Sequence, residues 1–159
     1  MMIKQSVVDV LMFIFERFLG EDNEVAEERK DIHSHLEEMG FHHQEINKAF
    51  DWLEDLATLQ DGNHYVPVQA NSTRIFSDEE KAILNDECYG LILYLEQSGI
   101  LQADTRELVL DRVIALNQPL DIEEFKWIVM IVLHKHPGRE NAFAWMESLV
   151  FDEYVDYMQ

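Results

Sequence analysis

Positive charge is what this chain has least of. Twelve Lys and Arg stand against 32 Asp and Glu in 159 residues, a formal net charge of −20. Such a field repels phosphate backbones and anionic lipid headgroups, and it attracts basic proteins, cations or basic surfaces on larger assemblies. Cysteine is nearly absent. Cys88 alone cannot form an internal disulfide, which fits a reducing cytosol. It lies in the apolar run 88–93 with no basic residue beside it to lower its pKa, so it reads as a buried, inert thiol.

Long hydrophobic runs are missing too. The longest, Trp127 to Leu133, falls far short of the ~20 residues a membrane span needs. The apolar stretch Val7 to Leu19 after Lys4 is interrupted by Asp9, Glu16 and Arg17, and no small-residue cleavage site follows, so it does not read as a signal peptide. A soluble cytoplasmic protein with no membrane partner is expected. Glycine-rich phosphate loops, a Gly-x-Ser-x-Gly elbow, an EF-hand loop and a dinucleotide fingerprint are all absent. The sequence therefore assigns no cofactor and no catalytic residue.

What is present is oil. Hydrophobic residues make up 47% of the chain, which separates it from an acidic disordered tail. A chain of this size buries roughly two thirds of its unfolded surface and needs no metal or disulfide to fold. The acid is spread evenly. Residues 1–76 hold 15 Asp and Glu against 6 Lys and Arg, and residues 77–159 hold 17 against 6.

The apolar spacing reads as helices throughout. Val7, Val10, Leu11, Ile14, Phe15 and Phe18 mark one over 6–19, stopped by Gly20. Ile32, Leu36 and Met39 mark a second over 26–39, stopped by Gly40. Ile46, Phe50, Leu53 and Leu56 mark a third over 43–59, entered through a Phe41–Ile46 staple with Glu45 at its N3 position. The β-formers of 64–68 and 73–76 flank a polar turn and predict a short β-hairpin over 64–76, with Pro67 confining its first strand to an edge.

Ser77 to Glu80 forms a capping box for a helix near 78–86 that continues or kinks into 88–97 around Gly90. Asp104 caps 105–116, and Asp121 with Glu124 caps a nearly all-apolar, central helix to about Lys135. A last helix covers 139–155. The expected fold is mainly α, in two lobes of three to four helices. The first, 1–76, is winged-helix-like with the hairpin. The second, 77–159, lines up with it at offsets of 80, 77 and 79, either as a degenerate repeat or by the coincidence of amphipathic helices.

Several blocks in order resemble the Smg family of bacterial proteins over essentially the whole chain. They are 9–12, 52–54, 74–76 before Glu79 and Glu80, 93–97, 106–109, Lys126 with Trp127, and Pro137 with Gly138. The resemblance implies small proteins often encoded beside a DNA-processing protein, and it brings no established activity and no catalytic residues.

The second and third helices of each half have the order of a helix-turn-helix. The third helix nevertheless carries Glu45, Asp51, Glu54 and Asp55 against Lys48, where a reader of DNA needs Arg, Lys, Asn or Gln. The hairpin offers Arg74 alone. His33 and His35 point about 200° apart on a helix and cannot share a metal by themselves. No His-x-x-x-His or cysteine pair appears, so no metal site is expected. Adjacent carboxylates such as Glu37 and Glu38 read as solvated faces, and Trp52, Trp127 and Trp145 as packing residues.

The reading is a non-enzymatic, acidic helical interaction or adaptor protein. Its partner would be a basic protein or complex in DNA processing or translation, and Glu45, Asp51, Glu54, Asp55 and Arg74 are the candidate contact residues. Direct nucleic-acid binding through the helix-turn-helix and Arg74 is the alternative, and mimicry of DNA by rows of carboxylates is another.

Overall fold

The computed structural model describes residues 6–19, 29–62, 76–134 and 140–158, and every regular element among them is helical. By internal contact the chain divides into two compact units, Met1–Ala57 and Thr58–Gln159. Among the described residues no helix is long and apolar enough to cross a membrane.

In the first unit, α1 (Val7–Ile14) opens on a reciprocal cap. Ser6 Oγ accepts from the Asp9 amide, and Asp9 Oδ2 accepts from the Ser6 amide, each at 3.2 Å. The helix runs on as a π-helical turn, Phe15–Leu19, where the Phe15 amide is shared between the Leu11 and Met12 carbonyls. Val8, Val10, Leu11, Ile14 and Phe15 are buried. Helix α2 (Arg29–Glu38) buries Ile32 and Leu36 and ends where Gly40 adopts φ +100°. The Phe41 amide then donates back to the Leu36 carbonyl at 3.1 Å, the glycine-stopped C-terminus the sequence predicts.

Helix α3 (His43–Gly62) buries Ile46, Ala49, Phe50, Trp52 and Leu56 and runs three residues past the expected end. Its last turn belongs to the second unit, where Gln60 Nε2 donates to the Val132 carbonyl at 2.9 Å.

The second unit is built around α7 (Ile122–Leu133). This helix is buried without a break from Ile128 to Leu133, as its continuous apolar run requires, and it packs against α5 (Asp86–Gln97), α6 (Ala103–Leu116) and α8 (Glu140–Met158). Asp121 and Glu124 cap it reciprocally at 2.7 and 3.0 Å. Ser77 and Glu80 do the same for α4 (Asp78–Ile83).

The break between α4 and α5 and the start of α6 also differ from the sequence expectation. The chain breaks between α4 and α5 at Leu84, in extended backbone bridged in parallel to Leu120, and Asn85 then caps α5 by accepting from the Cys88 amide. Gly90 sits inside α5 and breaks nothing, because the capping side chain and the buried Leu84 set the boundary. Helix α6 begins two residues early, with Thr105 Oγ1 accepting from the Gln102 amide, and Asp104 lies within its first turn.

The β-hairpin is the main correction. Among the described residues there is no strand, and the described fold is mainly α. Residues 64–75 lie outside the described residues. The remaining residue of the expected hairpin, Phe76, is not in a strand. Its ring packs on Tyr89 at 4.4 Å, so it serves as the lead-in to the Ser77 cap.

Three cations are drawn inside this unit: Arg106, Arg112 and Lys126 are all buried. Arg106, 2% exposed, donates from Nε to Glu107 at 2.9 Å and from Nη1 to Glu96 on α5 at 3.1 Å. Removing one partner of a buried ion pair strands a charge, whereas replacing the cation by an apolar chain also removes its desolvation cost. A Glu96→Ala/Glu107→Ala double variant should therefore lose about 3–5 kcal/mol, and Arg106→Met distinctly less. Urea unfolding checks the order, and a larger loss for Arg106→Met would contradict it.

Candidate interaction surface

On a helix, residues three and four apart share one stripe. Asp51, Glu54 and Asp55 stand in that relation on α3, and all three are exposed, on the side away from Ile46, Ala49 and Phe50. The structure thus brings three of the predicted contact residues together. Glu45 is set apart from them. It is half-buried near the apolar side, and its Oε2 lies 3.8 Å from Lys48 Nζ. Arg74 lies outside the described residues.

The second unit contributes acid of the same kind. Asp78, Glu79, Asp86 and Glu87 are exposed at the starts of α4 and α5, where carboxylates favour the helix macrodipole. Of the four Lys and Arg side chains described in this unit, three are the buried Arg106, Arg112 and Lys126, and Lys81 is exposed. The buried ones are spent on the protein's own carboxylates: Arg112 on Asp111 at 2.9 Å and Lys126 on Glu123 at 3.6 Å, beside the Arg106 pairs. The exterior is therefore poorer in positive charge than composition alone states.

A second constellation escaped the sequence reading. His33 and Glu37, one turn apart on α2, meet His43, the first residue of α3, and a ligand atom from each lies within 4.8 Å of the others. His33 Nδ1 is 2.9 Å from Glu37 Oε1. The His33 and His43 rings meet edge to face at 4.9 Å, and Phe50 stacks on the other side of His33. Asn47 Nδ2 lies 2.9 Å from His43 Nε2. The signal was a His-x-x-x-Glu pair on one helix followed by a histidine at the next helix start. It is visible only once the Gly40 turn folds α3 back toward α2.

Cys88 is buried, and burial pushes its thiol up to about 11, with Glu87 and Asp121 adding to the rise against the opposing Asn85 contact. Nothing there activates a nucleophile.

A profile of the family described as "Protein of unknown function (DUF494)" matches residues 7–159. The chain is similar to a protein named "Protein Smg homolog" from Nitrosococcus oceani, 47% identical, covering 98% of this chain and 99% of that one. The homologue from Methylococcus capsulatus is 45% identical with the same coverage, and that from Thioalkalivibrio sulfidiphilus is 38% identical, again over 98% and 99%. No solved structure matches the chain.

The thiol state gives a direct check. In the folded protein at pH 8, Cys88 should react with a disulfide reagent on the order of 100-fold more slowly than in denaturant, and stoichiometric labelling of the native chain within minutes would contradict the burial.

Proposed function

Because the chain belongs to the Smg family, DUF494, which carries no assigned activity, its own surface has to supply the reading, and we propose a non-enzymatic interaction protein that docks a basic protein partner. The observation that carries this is the burial of Arg106, Arg112 and Lys126, each against a carboxylate of its own unit, while the Asp51–Glu54–Asp55 stripe stays exposed. Long-range attraction speeds encounter by roughly 10–1,000-fold when the partner's charge is opposite. Rim carboxylates act mostly on the association rate and its salt dependence, and apolar contacts fix register. Basic partners of this kind occur in DNA processing and in translation, where proteins carry cationic nucleic-acid surfaces.

The test is capture of proteins from nuclease-treated lysate on the wild-type chain and on the Asp51→Lys, Glu54→Lys, Asp55→Lys triple variant. Each reversal adds two positive charges, and the three together take the net charge from −20 to −14. The wild type should retain basic proteins at about 50 mM salt and release them by about 500 mM, as the shortening Debye length requires. The variant should retain at least ~10-fold less through lost steering. Equal capture by both chains, or a duplex DNA shift that strengthens as salt falls and needs Arg74, would overturn the reading in favour of direct nucleic-acid binding.

A further inference from the structure

We propose that His33, Glu37 and His43 form a binding site for one divalent first-row transition ion, with zinc as its representative. Two imidazoles and one carboxylate are a donor set that suits zinc and its neighbours and does not suit magnesium or calcium, which prefer all-oxygen shells. Three protein ligands leave the fourth tetrahedral position to water.

The geometry is close to what such an ion needs. With bonds of about 2.0–2.1 Å, adjacent donors of a tetrahedral site stand about 3.3 Å apart. His33 Nδ1 and Glu37 Oε1 are already 2.9 Å apart, and a His43 ring nitrogen lies within 4.8 Å of them. Glu37 and His43 are exposed, so their side chains have room to close the remaining distance of about 1.5 Å by rotamer adjustment.

Phe50 and Asn47 flank the two imidazoles, and Asn47 is the one placed as an outer-shell partner. Phe50 stacks parallel to the His33 ring, 6.5 Å between centroids, and limits its rotation. His33 Nε2 is buried without a hydrogen-bond partner among the described residues, so the ring's polar contact is made through Nδ1, on the Glu37 side. Asn47 holds His43 through Nε2. Turning the Asn47 amide over offers its oxygen to an Nε2–H and leaves His43 Nδ1 with its lone pair for the ion. The ion displaces the proton shared by His33 Nδ1 and Glu37 Oε1 and stands about 2.0–2.1 Å from each, off the line between them, as the two donors part from 2.9 Å to about 3.3 Å. That proton moves to His33 Nε2, and both rings stay neutral.

Such an ion ties α2 to the first turn of α3 across the Gly40 turn. This site stands apart from the partner-docking reading, and either can fail without the other.

The test is calorimetric titration of the full chain, stripped with chelator, with ZnCl2, and cobalt substitution read in the visible spectrum. One ion per chain is expected, with intense tetrahedral cobalt absorbance and a rise in the melting temperature. His43→Ala, an exposed change whose folding circular dichroism verifies, should weaken zinc at least ~10-fold, and Glu37→Gln should do likewise. His35→Ala, His42→Ala and a His64→Ala/His136→Ala double variant should bind as the wild type does. Absence of saturable binding up to 1 mM zinc would overturn the proposal, and so would affinity unchanged in both His43→Ala and Glu37→Gln.

Discussion

A guanidinium that is 2% exposed must be met by anions, and Arg106 is met by two. Its bond to Glu96 links α6 to α5, and its bond to Glu107 stays within α6, in the unit whose centre is α7. The apolar helices supply the driving force for burial, but the ion pairs decide which polar groups can accompany them inward. Arg112 and Lys126 follow the same logic with Asp111 and Glu123. The core of this unit therefore has a charged boundary layer as well as an oily centre.

The functional consequence comes from arithmetic of sign. Each buried cation is matched by at least one carboxylate beside it, and the carboxylates at the starts of α4 and α5 and the Asp51–Glu54–Asp55 stripe of α3 are exposed in addition to those. Acid at helix starts is favourable to the helices themselves, so fold stability and a negative exterior are met by the same side chains. Under the proposed function, the Asp51–Glu54–Asp55 stripe of α3 stands where a DNA reader would present a cationic helix.

Much of the fold was legible because its punctuation is local. Ser77 with Glu80, Asp121 with Glu124 and Gly40 each act within four residues, and each does what its chemistry predicts. Errors arose where a distant contact outweighs a local preference. Leu84 leaves the helix to bridge Leu120, so the break falls there and Gly90 stays helical. Phe76 spends its β-favouring side chain on Tyr89, and no strand forms among the described residues. The candidate contact stripe was legible as i, i+3, i+4 spacing, except that Glu45 falls toward the buried side of α3. The His33–Glu37 pair had a one-turn helical spacing, but the three-residue cluster was not legible, because His43 joins it from the next helix across a turn.

The most direct measurement of the central claim is zero-length carbodiimide cross-linking in cells, read by mass spectrometry, because it joins carboxylates only to amines in contact with them. The account predicts links from Asp51, Glu54 or Asp55 to lysines of a basic protein. Links confined to other faces of the chain, or photochemical links to nucleic acid in place of protein, would contradict it.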